Sequence, residues 1–369
     1  MNDVKLERIW PGWTLGRLIG EGSFGKVYEI VRNRFGIEEH CALKVISIPS
    51  SQAEWQSMRN EGMDEASATE YYRGLVEEFV QEIALMSKLK GNVNIVGYED
   101  YAVIERQGEV GWDILIRMEL LRALPDYIRA NAFTVQGVVQ LGVDVCHALE
   151  VCHEQRVIHR DIKPDNIFIA PNGAFKLGDF GVARTIEKTV SGLSKKGTYT
   201  YMAPEVYKGE EYGLDVDLYS LGIVMYKLLN DNREPFLPPH PALIKYSDKN
   251  NALVRRLHGE PLTPPAHADA SLSSIILKAC AFRSADRYQH PSHMKADLLR
   301  LDSAATAPVL GGDQLQASAT SASRTDSSVT PAPSVTSDEW LRAFASATPT
   351  PQSPEPSVSA DAWMRQFMS

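Results

Sequence analysis

The segment from Val157 to Phe168 places three polar side chains at a spacing that suits phosphoryl transfer. Asp161 can orient an attacking hydroxyl and accept its proton, Lys163 can neutralise charge on a moving phosphoryl group, and Asn166 can hold a metal ion. The alternative interpretation is a polar loop that arose by chance between two apolar segments. The elements that would position these side chains decide between the two interpretations.

The first of those elements is a glycine-rich turn between two strands predicted within Trp13 to Val31. Glycines allow backbone amides to approach a polyphosphate closely. A dinucleotide-binding loop has similar glycines but opens a helix, whereas the residues after this turn alternate like a strand. The turn therefore favours a nucleotide phosphate site, formed by Gly20, Glu21, Gly22, Ser23, Phe24, Gly25, Lys26 and Val27.

The form H-R-D-x-K-x-x-N of residues 159–166, together with this turn, resembles the eukaryotic-like (Hanks-type) protein serine/threonine kinases, with features of the cytosolic bacterial branch. The resemblance covers residues 13–301. It implies an α+β, two-lobed kinase fold with a small β-rich N-lobe (about 13–121) and a mainly helical C-lobe (about 122–301). It also implies ATP and Mg²⁺, with Mn²⁺ as an alternative, and transfer of the γ-phosphoryl group to protein serine and threonine hydroxyls, including the kinase's own.

One lysine, Lys44, interrupts the apolar strand predicted at Cys41 to Ile46. A buried lysine needs a partner charge, although a solvent-facing edge strand would also explain it. The resemblance assigns Lys44 to the ATP phosphates and to a glutamate on the next helix, predicted from Leu75 to Leu89. Glu82 is the predicted partner. Glu77 and Glu78, one turn earlier, remain alternatives, and residues 49–74 are predicted to be an extra helix or a solvated loop.

The resemblance also implies an adenine site at the end of the strand that begins at Trp112. Met118 is expected to be the gatekeeper, and the backbone of Glu119 and Leu121 is expected to bond the adenine. Ala42 and Val27 would line the same pocket.

Gly178-Asp179-Phe180-Gly181 follows a predicted strand pair, and the resemblance makes Asp179 the second metal ligand beside Asn166. Phe180 is expected to pack under the helix that carries Glu82, and Gly181 completes the motif. The segment ends at Ala203-Pro204-Glu205, which resembles the family's peptide-binding platform, and Thr198 is expected to contact Asp161 and Lys163.

The resemblance implies further residues that support the catalytic loop, residues 159–166, and the segment after it. His159 would prop it, Asp217 would anchor it or simply cap a helix, and Glu205 would pair with Arg287. Arg160 is predicted to be a buried cation that attracts a phosphate on the activation segment. The candidate phosphorylation sites are Thr189, Ser191 and Ser194.

Composition limits the remaining possibilities. The formal charge of −9 argues against nucleic acid as a partner, and no long apolar run or signal peptide is apparent, so we expect a cytoplasmic protein without a membrane span. The four cysteines lack paired spacing and are expected to be reduced and buried. The sequence does not indicate an oligomeric state.

Residues 302–369 are rich in Ala, Ser, Thr and Pro and are predicted to form a flexible tail. A peptide is duplicated within it, at 338–346 and 361–369. Each copy is expected to present an aromatic face to a partner protein. The alternatives are that the copies fold back on the kinase or that the duplication is neutral. The aromatic residues are Trp340, Phe344, Trp363 and Phe367.

Two rival functions follow from the same motifs. A non-catalytic scaffold of kinase fold predicts loss of Lys44, Asp161 or Asp179, and all three residues are present. A small-molecule phosphotransferase of related fold would usually lack the Ala203-Pro204-Glu205 platform. The sequence therefore favours a protein kinase.

Overall fold

The computed structural model describes residues 3–22, 25–180, 198–301 and 308–310. The N-terminal part contains a five-stranded antiparallel sheet in the order β1-β2-β3-β5-β4. Its strands are β1 (Trp13–Gly22), β2 (Gly25–Arg34), β3 (Ile37–Ile48), β4 (Tyr98–Glu105) and β5 (Trp112–Glu119), and its helices are α1 (Asp3–Ile9), α2 (Gln52–Asn60) and α3 (Glu65–Lys88).

The two faces of this sheet are covered by different helices. Phe79 and Ile83 of α3 are fully buried against Ile114 and Ile116 of β5. On the other side, α1 buries Leu6 in a cluster that includes strand residues. A sheet with both faces covered can hold polar side chains of its central strands away from water. This arrangement positions Lys44 of β3.

Residues 49–74 contain an extra helix, α2, followed by the first turns of α3. The predicted start of α3 at Leu75 is wrong by ten residues, because the helix begins at Glu65. Asp64 caps that earlier start, since its side chain accepts a hydrogen bond of 2.8 Å from the Ser67 N–H. The capping signal therefore lies in the charged stretch for which the sequence predicts an extra helix or a solvated loop.

The C-terminal part is mainly helical, as the kinase resemblance implied. Its helices are α4 (Leu124–Ala130), α5 (Val135–Glu154), α6 (Pro204–Lys208), α7 (Asp215–Leu228), α8 (Tyr246–Leu257), α9 (Ala270–Ala279) and α10 (Pro291–Leu299). The sheet β6-β8-β9 consists of β6 (Arg122–Ala123), β8 (Ile167–Ile169) and β9 (Phe175–Leu177), and three short 3₁₀ turns lie at Pro164–Asn166, Thr198–Thr200 and Ser284–Asp286.

Helices α5 and α7 form the centre of this lobe. Leu141 and Val145 of α5 and Leu218 and Leu221 of α7 belong to one buried cluster. By length and composition α5 is the one helix in the described parts of the chain that could cross a membrane, and half of the relevant window is buried inside the protein. Its apolar character is explained by this packing.

A short strand, β10 (Pro308–Leu310), pairs antiparallel with β7 (Phe133–Thr134). The sequence predicts a flexible tail from residue 302 onward, whereas these three residues form a strand. Backbone pairing explains the exception, because a ladder needs no large apolar side chains. The predicted tail peptides lie outside the described residues, and so do their aromatic residues Trp340, Phe344, Trp363 and Phe367.

Two helical glycines provide a matched test of packing in this fold. A Cβ atom on Gly222 of α7 would lie 2.7 Å from Cys280 Sγ and 3.0 Å from Ala279 Cβ, whereas nothing lies within 4 Å of one on Gly74 of α3. We expect Gly222→Ala to lower the free energy of unfolding by about 1–2 kcal/mol and Gly74→Ala to raise it by up to about 1 kcal/mol. Urea unfolding of both variants tests this; equal effects would contradict the predicted close approach of α7 and α9.

A buried histidine at the end of α5 should make stability depend on pH. His153 is 7 % exposed, and its ring lies 5.8 Å from the ring of His290, between centroids, and near the backbone of Leu214. Burial, together with the nearby His290, lowers the pKa of His153 to about 4. The unfolded chain therefore binds the proton more readily than the folded protein below pH 6.5, and stability falls as the pH drops from about 6.5 towards 4.

We expect the free energy of unfolding to decrease by about 2 kcal/mol between pH 7 and pH 5 through this group. The His153→Leu variant should lack that contribution, because leucine has no group that titrates. Urea unfolding of both proteins at the two pH values measures the difference. The same pH dependence in both proteins would show that His153 is not the responsible group.

Candidate active site

The three polar side chains of the catalytic-loop motif converge on one carboxylate. Asp161 Oδ2 accepts hydrogen bonds from Lys163 Nζ at 2.7 Å and from Asn166 Nδ2 at 2.9 Å. The same Asn166 amide donates to the Asp161 carbonyl at 2.8 Å. Asp161 Oδ1 is buried and has no hydrogen-bond donor in the part of the chain that is described. The loop therefore fixes one carboxylate oxygen and leaves the other as an acceptor.

The 3₁₀ turn at Pro164–Asn166 explains why these residues can meet. The turn brings Asn166 back towards the start of the loop, and its N–H donates to the Lys163 carbonyl at 3.0 Å. The Asn166 carbonyl then accepts from Gly178 N–H at 2.9 Å, which ties the loop to the residue before Asp179. Local sequence spacing thus produces most of the geometry around Asp161.

Asp217 anchors the loop from the first turn of α7. Its two carboxylate oxygens accept from the backbone N–H groups of His159 at 2.7 Å and Arg160 at 2.8 Å. Asp217 is fully buried, and burial raises its pKa, while the charge of His159 and the two backbone donors oppose that rise. Helix α7 has Leu214 as its N-cap residue, so Asp217 holds the loop and does not cap the helix.

His159 connects the loop to the Asp179 segment. Its Nε2 lies 2.9 Å from the Gly178 carbonyl oxygen. Its ring makes an edge-to-face contact with the Phe180 ring, with 4.6 Å between the two ring centres. Phe180 is buried in the C-lobe cluster, which Leu89 and Met86 at the end of α3 also join. The next residue of the motif, Gly181, lies outside the described residues.

The prediction that Arg160 is buried is wrong. Its side chain is exposed, and the guanidinium lies 5.9 Å from the centre of the Tyr212 ring. Burial of a guanidinium without an acidic partner would be costly, whereas an exposed side chain keeps its hydration. The candidate phosphorylation sites Thr189, Ser191 and Ser194 lie outside the described residues.

Lys44 and Asp179 form an ion pair between the two lobes. Lys44 is 6 % exposed, and its Nζ lies 2.6 Å from Asp179 Oδ1. Burial would raise the pKa of Asp179, but the charge and hydrogen bond of Lys44, with His159 and Lys163 farther away, lower it below its ordinary value. Asp179 is therefore held as a carboxylate.

The structure does not bring Lys44 and Glu82 together as an ion pair. Asp179 is the carboxylate within 4.0 Å of Lys44 in the described structure, and Glu82 is a half-buried residue of α3. The predicted Lys44–Glu82 pair consequently remains a prediction, together with the alternatives Glu77 and Glu78. Asp179, the residue that pairs with Lys44 in this structure, is also a predicted metal ligand. The Lys44 ammonium group therefore binds a carboxylate that is predicted to bind the metal.

The sheet register places the predicted ATP-binding residues side by side. Val27 of β2 is opposite Lys44 of β3, and Ala42 of β3 is opposite Met118 of β5. Opposite residues of an antiparallel pair share one face, so these four side chains line one surface. The predicted glycine turn joins β1 and β2: β1 ends with Gly20–Gly22, and β2 begins with Gly25–Val27. Glu21 lies opposite Lys26. Ser23 and Phe24 lie outside the described residues.

Gly25 shows why the turn needs glycine. Its φ is +125°, and an added Cβ would lie 2.1 Å from the carbonyl oxygen of Val45. No other residue type fits such a backbone so close to the neighbouring strand. The turn therefore lies directly over β3, the strand that carries Lys44.

The segment at Glu119 to Leu121 contains a polar link that sequence reasoning missed. The Glu119 side chain accepts from Lys176 Nζ of β9 at 2.7 and 2.9 Å, and its backbone N–H donates to the Gly97 carbonyl at 2.9 Å. Leu121 is buried. A lone lysine in the apolar strand Phe175–Leu177 was the available signal. This pair joins the segment between the lobes to the sheet β6-β8-β9 of the C-lobe.

Arg287 ties the end of the peptide platform to the C-lobe core. Its guanidinium bonds both carboxylate oxygens of Glu205, one of them at 2.9 Å, and Asp215 at 2.9 Å. It also donates to the carbonyls of Ala281 at 2.7 Å and Phe282 at 2.9 Å. These bonds use all five N–H donors of an arginine. Thr198 lies in the 3₁₀ turn before this platform, and its side chain is outside the described atoms.

Comparison with known proteins identifies the family. Residues 13–299 match the protein kinase domain family. The chain belongs to the protein kinase family. The two-lobed α+β fold predicted from the catalytic loop is confirmed by this match and by the sheet and helices described above.

Three of the curated relatives with similar sequences are bacterial kinases. This kinase is 35 % identical over 170 residues to the serine/threonine-protein kinase PknB of Mycolicibacterium smegmatis, covering 44 % of this chain and 26 % of that protein. It is 33 % identical over 174 residues to PknB of Mycobacterium leprae, with 46 % and 26 % covered. A probable serine/threonine-protein kinase of Corynebacterium efficiens is 32 % identical over 236 residues, with 60 % and 34 % covered. The matched region spans about a third or less of each relative.

Protein kinases use ATP and a divalent metal, and the residues of this kinase fit both. Asn166 uses its amide nitrogen towards Asp161, which leaves its amide oxygen, and Asp179 uses Oδ1 towards Lys44, which leaves Oδ2. Two such oxygens suit a hard cation that completes its coordination with phosphate and water. The described residues contain no cluster of three or more His, Cys, Asp or Glu that could hold a metal without such help.

Proposed function

We propose that this kinase transfers the γ-phosphoryl group of ATP to serine and threonine hydroxyls of proteins. The observation that carries the proposal is the buried acceptor Asp161 Oδ1, which has no donor among the described residues, beside an Oδ2 held by Lys163 and Asn166. A hydroxyl that donates to this oxygen is oriented for attack and loses its proton to the same carboxylate. Lys163 then lies where charge develops on the phosphoryl group.

The other site residues are assigned to ATP and its metal. Asn166 and Asp179 would hold Mg²⁺, or Mn²⁺ in its place, which when bound supplies positive charge to the phosphate oxygens. Lys44, freed from Asp179 Oδ1, would bind the α- and β-phosphates and pair with Glu82. The glycine turn would cover the phosphates with its backbone amides.

The adenine pocket is assigned to the surface shared by β2, β3 and β5. Val27, Ala42 and Met118 would contact the base, and the backbone of Glu119 and Leu121 would hydrogen-bond it. Their register on neighbouring strands supports this assignment. The Glu119 side chain is already used by Lys176, so the proposed recognition is left to the backbone.

Serine and threonine are the proposed acceptors for two reasons. Lys163 follows Asp161 at the spacing of the Ser/Thr kinases, and the curated relatives carry that name. Thr198 is proposed to contact Asp161 and Lys163 when a substrate is bound. The four cysteines are free and buried, which supports a reducing compartment, and we place the kinase in the cytoplasm.

The test uses the full chain, Mg²⁺ and labelled ATP with a peptide library that contains serine, threonine and tyrosine. We expect label on serine and threonine in the wild type and almost none with Asp179→Asn, because that variant loses a metal-ligand charge. Label on tyrosine alone, or none in either protein under Mg²⁺ and Mn²⁺, would refute the proposal.

Autophosphorylation is proposed for Thr189, Ser191 or Ser194, which are followed by the basic residues Lys195 and Lys196. Exposed Arg160 beside the catalytic loop is a ready partner for such a phosphate. Intact-mass spectrometry of ATP-treated kinase should show added phosphate in the wild type and none in Lys44→Met. A wild-type mass that does not change would remove the idea.

The duplicated tail peptides are proposed to recruit a partner or substrate. Two copies on one tether would raise the effective concentration at a partner with two binding grooves. In a pull-down, Trp340→Ala/Trp363→Ala should lose the partner that the wild type recovers, whereas Thr348→Ala/Thr350→Ala, between the copies, should keep it. Equal recovery by all three proteins would discard the proposal.

A further inference from the structure

A cavity of about 260 Å³ lies in the C-lobe, away from the proposed ATP site. Its deep wall consists of Tyr219 of α7, Arg256 of α8 and Cys280 after α9, each less than 5 % exposed. Leu262 and Phe282 provide apolar surface nearer the rim. The volume is close to the lower end of small-molecule sites, which start at about 300 Å³.

Arg256 gives this cavity an uncompensated positive charge. It is 4 % exposed, yet none of the described carboxylates lies within 4.0 Å of its guanidinium. Its hydrogen-bond partners are the carbonyl oxygens of Tyr199, at 2.8 Å, and Thr200, and its Nε has no partner in the described chain. A buried cation that faces only carbonyl dipoles is favourable to an added anion.

The neighbouring acid does not supply that anion. Glu260 lies at the rim, is exposed, and pairs with Arg255 on the solvent side. Among the charged residues that line the cavity, Arg256 is therefore the one without a carboxylate partner in the described chain. The cavity therefore combines one cationic position with apolar walls.

The cavity is connected to both ends of residues 199–205, the segment that leads into and includes the peptide platform. One wall residue, Arg256, holds the first end, and Arg287, which packs behind the wall, holds the other. Arg256 binds the carbonyls of Tyr199 and Thr200 at one end. At the other end, Arg287 donates hydrogen bonds to the Glu205 carboxylate and to the Phe282 carbonyl. Its guanidinium carbon lies 4.7 Å from the centre of the Tyr219 ring. A ligand that contacts Tyr219, Arg256 and Phe282 thus touches the immediate supports of residues 199–205.

We propose that this cavity binds a small organic carboxylate with an apolar body, whose carboxylate pairs with Arg256 and whose body lies against Leu262, Leu277 and Phe282. Occupation of the cavity stiffens the platform at residues 199–205 through Arg256 and Arg287. The site is separate from the proposed ATP pocket, and ligand binding requires no phosphoryl transfer. Carboxylate binding can therefore be measured whether or not the kinase transfers phosphate to serine and threonine.

The first experiment is calorimetry of the full chain with two carboxylates, octanoate and phenylbutyrate, and their neutral amides, octanamide and phenylbutyramide. We expect at least one carboxylate to bind about tenfold more tightly than its amide, because a charged hydrogen bond to Arg256 replaces a neutral one. Arg256→Met should remove that preference. No saturable binding of either carboxylate, or equal affinity for carboxylate and amide, would overturn the proposal.

A second variant locates the site without touching the charge. Leu262→Trp fills the cavity from its rim and should weaken carboxylate binding about tenfold or more, because the ligand's apolar body loses its space. Leu299→Trp, on an exposed leucine of α10, is the matched control and should bind as the wild type does. Unchanged affinity in Leu262→Trp would place the binding elsewhere and refute the assignment.

Hydrogen exchange tests the link to the platform. Saturation with the bound carboxylate should slow exchange of the amides in residues 199–205, whereas amides in the middle of α3 should not change. Neither effect depends on catalysis. Unaltered exchange in the platform would refute the coupling even if the carboxylate binds.

Discussion

Replacing Asp161 with asparagine is expected to lower the rate of phosphoryl transfer by about 10²–10⁴-fold while leaving the fold unchanged. Asparagine keeps the size of the side chain and an oxygen for Lys163, but it cannot accept the proton of an attacking hydroxyl. The buried Oδ1 atom, with no donor among the described residues, is the position at which that proton would be accepted. Steady-state kinetics with a serine peptide measure the effect as a decrease in kcat.

The matched control is Asp165→Asn in the same loop. Asp165 is an exposed carboxylate four residues after Asp161. Its replacement by asparagine removes the same charge from the same loop. We expect its kcat to stay within about threefold of the wild type, because exposed charges contribute little to local energetics. A similar loss of kcat in both variants would show that loop charge, and not the acceptor Asp161 Oδ1, controls the rate.

Replacing Arg287 with methionine is expected to lower the free energy of unfolding by about 3–5 kcal/mol. The substitution leaves Glu205 and Asp215 as carboxylates in a largely buried site without their cation, and it removes donors from the carbonyls of Ala281 and Phe282. Losing one partner of a buried pair costs more than the pair contributes, because the remaining charge stays desolvated. Chemical denaturation of both proteins at neutral pH measures the loss.

Arg283→Met is the control for this prediction. Arg283 pairs with Asp286 on the surface three residues away, and its side chain is 76 % exposed. Such a pair contributes little, so we expect a change of no more than about 0.5 kcal/mol. The triple variant Arg287→Met/Glu205→Gln/Asp215→Asn should be more stable than Arg287→Met alone, since it removes the stranded charges. If it is less stable, unpaired charge is not the cause of the loss.

Short-range sequence patterns predicted the elements whose geometry is local. The spacing of Asp161, Lys163 and Asn166 places Lys163 Nζ and Asn166 Nδ2 within 3 Å of Asp161 Oδ2 through a single 3₁₀ turn. The glycine turn was likewise predicted between two strands, and Gly25 has the positive φ that makes glycine necessary. The contacts within the catalytic loop join residues a few positions apart, so sequence spacing predicts them. The tertiary fold adds the Val45 carbonyl beside Gly25 and the Asp217 carboxylate that holds the loop.

The sequence by itself determined the family, the two-lobed fold and the residues able to carry the chemistry, because those signals lie in short motifs and in their order along the chain. Only the tertiary structure decided which distant groups meet. It paired Lys44 with Asp179, left Arg160 exposed and buried Arg256 beside a cavity. Residue type states what a side chain can do, but burial and the nearest charges depend on how separate elements pack, and these energies become defined only when the chain has folded.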